Sequence, residues 1–271
     1  MKSRLKYSVL YILISIFFLS CSEYENAPDH TINLVKITEG IVSDANTKIE
    51  VWAKEPVFAG YNTLFVRLRD SGNGQIIDKA RITLNPMMYM TGGMNHTCPF
   101  ENPVSETAIN GLFPASVFFV MPTSDMGNWK FTVNVENLIN SKSGSLEFDI
   151  TVANPADARM RSFTTPLSEK YFIGYTFPEK VKVGINTLVV TSYQRLSGME
   201  WPAAEDLTFE LTPEMPSMDH GSPNNIDPVH TSGALYTGKV NFTMTGLWRL
   251  HLKISKGGEL IQETYFDVTV E

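Results

Sequence analysis

The chain has 271 residues, 43% of them hydrophobic, with a formal charge of -7. That length accommodates two ordinary domains, each with a core of normal size. No basic stripe runs along it, which excludes nucleic acid as an expected partner. Strand-forming residues and Gly/Pro/Asn/Ser turn clusters dominate and helical periodicity is absent, so the predicted class is all-β.

The first twenty residues read as a targeting signal. Lys2, Arg4 and Lys6 form a basic start, and Tyr7 to Leu19 is an apolar run shorter than a membrane span. Its end, Phe18-Leu19-Ser20-Cys21, resembles the lipobox of bacterial lipoproteins. The resemblance implies that Cys21 is lipidated and becomes the first residue of the mature chain. Ser22, rather than Asp, then implies retention at the outer membrane, facing the periplasm or the cell surface. With Cys21 so used, Cys98 has no disulfide partner within the chain, although the compartment permits disulfides.

Residues 21–31 read as a polar tether. A first series of strands is predicted at 32–37, 48–53, 63–69, 79–84, 116–120, 130–135 and 145–152, with a turn at Asp70-Ser71-Gly72-Asn73-Gly74. Short strands separated by turn clusters predict an immunoglobulin-like β-sandwich over 32–153. The polar, proline-containing stretch 154–169 is the expected linker. A second sandwich is predicted over 170–271, with strands at 171–177, 187–195, 206–212, 239–243, 248–254 and 260–270.

The halves repeat one another in order. Gly60-Tyr61-Asn62-Thr63-Leu64 matches Gly184-Ile185-Asn186-Thr187-Leu188, and Met94-Asn95-His96-Thr97-Cys98-Pro99 matches Met218-Asp219-His220-Gly221-Ser222-Pro223. Val117, Phe119 and Met121 match Val240, Phe242 and Met244; Asn128-Trp129 matches Leu247-Trp248; Phe148 to Val152 matches Phe266 to Val270. In this alignment Met87 to Gly93 reads as an insertion that lengthens the first loop.

The repeated loops carry the chemistry. Met215-Pro216-Ser217-Met218-Asp219-His220 packs two thioethers and an imidazole into six residues. That donor set suits Cu(I) over Ca, Mg or Mn, and thioethers, unlike paired thiols, form no disulfides outside the cytoplasm. A packing role competes with this reading, since Met readily fills irregular gaps at the end of a sandwich. The expected ligands are Met215, Met218, His220 and Met244 in the second half, and Met88, Met94, His96 and Met121 in the first. Cys98 is an optional addition, because Ser222 stands in its place. Trp129 and Trp248 are expected core anchors. Asp149 and Asp267 are expected to make an architectural hydrogen bond, His251 to lie on a solvated strand face with Arg249 and Lys253, and His230 to sit in a loop as a reserve ligand only.

The stretch from Met215 to Pro223, followed by Gly238-Lys239-Val240-Asn241-Phe242-Thr243-Met244 and Gly246-Leu247-Trp248-Arg249, resembles the YtkA-like domain, related to the FixH group. The resemblance is good over 180–271 and weaker over the first half. It implies a small extracytoplasmic β-sandwich and a role in copper handling or oxidase maturation.

No Gly-x-Ser-x-Gly elbow, His-Glu-x-x-His helix, phosphate-cradling glycine loop or CxxC is present, so an enzyme is not expected. The expected protein is a membrane-anchored lipoprotein that binds or delivers Cu(I), with a copper donor or acceptor protein or an efflux assembly as partner. The competing expectation is a non-catalytic structural module that contacts protein or glycan and uses its Met loops for packing.

Overall fold

The computed structural model describes residues 28–196 and 199–271. The expected signal peptide, Cys21 and most of the expected tether lie outside them. The described residues form eighteen strands and no helix. The first nine are β1 (Val35–Val42), β2 (Thr47–Ala53), β3 (Gly60–Asp70), β4 (Ala80–Met90), β5 (Asn95–Thr97), β6 (Phe100–Glu101), β7 (Phe113–Phe119), β8 (Gly127–Asn137) and β9 (Lys142–Ile150). They form two facing sheets, in the orders β1-β2-β3-β7-β6 and β5-β4-β8-β9.

The second nine are β10 (Met160–Thr164), β11 (Lys170–Thr176), β12 (Gly184–Arg195), β13 (Leu207–Met215), β14 (His220–Gly221), β15 (Ile226–Ser232), β16 (Leu235–Phe242), β17 (Gly246–Lys256) and β18 (Glu259–Val270). Their sheets run β10-β11-β12-β16-β15 and β14-β13-β17-β18. Each strand of the first half therefore has a counterpart nine strands later with the same neighbours.

Period-two patterning builds these sheets. Along β4, Ala80, Ile82, Leu84, Pro86 and Met88 turn inward while Arg81, Thr83 and Asn85 face water. The repeated Gly-x-Asn-Thr-Leu motif has a physical cause. Asn62 accepts the Phe58 N–H and donates to the carbonyls of Phe58 and Gly60. Asn186 does the same with Lys182 and Gly184. Each clamp closes a turn whose glycine has positive φ, +134° at Gly60 and +104° at Gly184, which a side chain would strain.

The structure adds the short strands β5, β6 and β14 to the predicted elements and departs from them further in three places. The first strand starts at Val35, not Ile32, because Asp29 and Thr31 pin the end of the tether to Arg67, at 2.8 and 3.1 Å. The predicted linker contains β10, which pairs with β11 and stacks Phe163 on Tyr171 at 5.4 Å. The stretch holding His230 is the bulged edge strand β15 rather than a loop.

The two sandwiches meet along an apolar seam. Phe172, Tyr193 and Ala234 join the core of the first sandwich. Tyr193 meets Phe118 edge-on at 5.5 Å, and Phe172 meets Trp201 at 5.0 Å. At Gly174 a Cβ would strike the Phe118 ring at 2.7 Å, so this close approach requires glycine.

Candidate metal centre

Each sandwich ends in a tip where a strand carrying methionine, a short strand carrying histidine and a strand carrying tryptophan run side by side. In the first, Met88 of β4 lies opposite His96 of β5 on one side and opposite Trp129 of β8 on the other. In the second, Met215 of β13 lies opposite His220 of β14. The β13–β17 register, Pro213 to Leu250 and Glu214 to Arg249, leads Met215 to Trp248.

This register revises the alignment of the halves. Leu84-Asn85-Pro86-Met87-Met88 is the counterpart of Leu211-Thr212-Pro213-Glu214-Met215, since Leu84, Pro86 and Leu211, Pro213 occupy matching inward positions. Met88 is thus the partner of Met215. The insertion is confined to the hairpin between Met88 and His96, three residues longer than that between Met215 and His220.

The tryptophans anchor both tips. Trp129 and Trp248 are fully buried, and each indole N–H donates to a backbone carbonyl at 3.0 Å, that of Met121 in one case and Met244 in the other. Phe119 and Phe242 pack on the respective rings at 5.0 and 5.5 Å. His220 stands edge-on to Trp248, with centroids 5.7 Å apart. The glycine that opens each tryptophan strand makes room for thioethers. A Cβ at Gly127 would meet Met90 Sδ at 2.6 Å and Met88 Cε at 2.8 Å, and one at Gly246 would meet Met215 Cε at 3.1 Å.

The tips therefore bring together Met88, His96, Trp129 and the Met121 backbone in one domain, and Met215, His220, Trp248 and the Met244 backbone in the other. Met88 and Met215 lie inside the fold, His96 and His220 are half-buried, and Met244 sits at the rim. Met94 and Met218 lie outside on the loops, 64% and 58% exposed. Cys98 follows β5 into the core, where burial pushes its thiol well above the usual range. A thiolate is not presented there. Among the described residues no three His, Cys, Asp or Glu side chains gather into a metal-holding group. A centre at either tip would rest on thioether sulfur and imidazole, donors that select soft Cu(I).

The remaining expectations find these places. Asp267 forms a two-point pair with Arg249, at 2.8 and 3.1 Å, and Asp149 meets Lys130 at 3.2 Å, on matching strands. His251 shares the outer face with Arg249 and meets Glu214 at 2.6 Å. His230 bonds the Gly233 carbonyl at 2.9 Å and packs on Tyr236. The sequence reading also passes over Met199, 51% exposed, which lines a cavity together with Met94 and His96. It belongs to no repeat and no motif.

A search of curated proteins returns no match. Solved structures that align include domains 5–6 of the S-layer protein SbsC, at 12% identity and TM-score 0.30, over 88% of this chain and 99% of that one. The adhesin InvE of Yersinia pseudotuberculosis aligns at 15% identity and TM-score 0.25, over 90% of this chain and 62% of that one. The Escherichia coli adhesin FdeC aligns at 11% and 0.26, over 86% and 66%. This chain thus spans slightly under two thirds of either adhesin chain. Residues 166–253, within the second half, match the sequence model of the family described as YtkA-like.

Proposed function

We propose that this protein is a lipid-anchored, extracytoplasmic pair of YtkA-like sandwiches whose tips bind Cu(I) and hold or pass it on, without transforming a substrate. The anchor is Cys21, and the outer membrane is the site of retention. The observation that carries the copper reading is the duplicated register: in both halves a histidine lies directly across from an inward methionine on a tryptophan-braced strand. Copies of a fold need not repeat a half-exposed histidine for packing. Repeating it beside sulfur supplies the same pair of neutral, soft donors twice.

The burial of Met88 and Met215 supports a second reading, in which the methionines fill the sandwich ends and the module serves protein or glycan contact. Cu(I) titration under reducing conditions against a chromophoric chelator separates the two. The copper reading expects one copper per sandwich, and the loss of one with each of His96→Ala and His220→Ala. Wild-type protein that yields all copper to a weak chelator, or histidine variants that bind as wild type does, would overturn it.

A further inference from the structure

Met94, Asn95, His96 and Thr97 of the first sandwich and Arg195, Met199 and Trp201 of the second line one cavity of about 240 Å³. The first tip thus faces the neighbouring domain across a solvent-open cleft. Resting on the copper reading, we propose that its Cu(I) site is completed across the domain boundary, with Met199 joining His96 and Met94 as ligands.

The donors fit that ion. Two thioethers and an imidazole are neutral, and among the described residues no carboxylate lines the cavity. The cation on its wall, Arg195, is held over the Trp201 ring at 5.4 Å. Hard divalent ions, which need oxygen ligands and negative charge, have little to bind here. A soft monovalent ion needs neither. Met94 and Met199 are both more than half exposed, so their unbranched side chains have room to turn inward. Met199 has a firm base as well. Trp201, two residues on, is wedged against Phe172 in the seam, with its indole N–H buried and without a hydrogen bond among the described residues. Copper at this place would tie the two sandwiches together.

The test uses the full chain carrying His220→Ala, so that only the first site loads. Cu(I) competition titration and copper X-ray absorption are compared with and without Met199→Leu, a change at an exposed position that leaves the fold intact. The expected result is a loss of affinity of roughly tenfold or more, the scale on which even outer partners of ligands act, with one fewer sulfur neighbour on copper. Equal affinity and equal sulfur count would overturn the shared site while leaving the copper reading standing. So would a His220→Ala protein that binds no copper although wild type binds it. Wild-type protein that binds none removes the copper reading itself, and this inference with it.

Discussion

The two tips share their inner parts and differ in their surroundings. Both have a Leu-x-Pro-x-Met strand, an opposed histidine, a glycine against the thioether and a tryptophan bonded to a methionine carbonyl. Around the first, a longer hairpin, the cavity with Met199 and the buried Cys98 have no counterpart among the described residues of the second. Ser222, at the place of Cys98, instead bonds Asn225. Parts that recur in both copies are tied to the architecture or to a shared chemistry, and parts found once belong to local packing or to the domain boundary.

The sharpest way to break the comparison is to remove its anchors. Trp129→Ala and Trp248→Ala each delete a fully buried indole and orphan a carbonyl. Each is expected to cost about 3–5 kcal/mol, the usual range for emptying such a site. Denaturant unfolding of the two variants should give similar losses. A loss confined to one would show that the tips are not built alike.

A second test uses charge, where the halves diverge. In the first sandwich Glu50 and Arg67 form a buried pair at 2.6 Å. Burial alone would raise the Glu50 carboxyl, but the Arg67 hydrogen bond and charge overcome it and hold the group below its usual range. Asp29 is also held low, by its bonds to Thr31 and by Arg67. A depressed carboxyl contributes stability that is present above its unfolded value and lost as pH falls through the folded one. The first sandwich should therefore weaken as pH drops below the ordinary carboxylate range, seen as lower amide protection in β2 and β3 once the intrinsic pH dependence of exchange is divided out. Glu50→Gln should cost about 3 kcal/mol at neutral pH, the low end for breaking a buried pair, because Asp29 still faces Arg67. It should also flatten the acid dependence. The solvent-screened pair Arg249–Asp267 should contribute far less to the second sandwich than the buried pair does to the first.

Smaller effects are expected at the tip glycines, for different reasons. Gly246 has φ +125°, so Gly246→Ala strains the backbone, by about 1–3 kcal/mol. Gly127 lacks that conformation, and Gly127→Ala instead displaces Met88 Cε and Met90 Sδ, which can yield, and crowds the Tyr89 carbonyl at 3.2 Å. Its cost should fall near about 1 kcal/mol, the low end for overpacking. Thermal unfolding of the pair would show whether backbone or side chain sets the cost of a methyl group here.

Much of this fold was legible because short-range physics repeats it. The Asn62 and Asn186 clamps demand a glycine and an asparagine at fixed spacing, and alternation marks most long strands. What stayed hidden depends on distant partners. Strand β10 is short, mostly polar and set between Pro155 and Pro166, so only its pairing with β11 reveals it. The equivalence of Met88 and Met215 was masked by the longer hairpin, which breaks local alignment while sheet register continues beneath it. Met199 had no local signal, since the docking of two domains, not any pattern around it, places it on the cavity that His96 lines.

Cys98 gives the smallest and most discriminating test of the comparison. Among the expected ligands it is the one that the second half replaces, by Ser222, and its thiol is buried with burial holding it protonated. If the shared chemistry resides in the recurring parts, Cys98→Ser should leave copper stoichiometry and affinity unchanged. The change places a hydroxyl among apolar side chains, and should cost about 1–3 kcal/mol unless the new hydroxyl finds a hydrogen-bond partner. Cys98→Ala avoids that penalty and should bind copper as wild type does. A clear loss of Cu(I) affinity in both variants would mean that the first tip opens far enough to recruit the thiolate, and that the two sandwiches hold their metal by different chemistry.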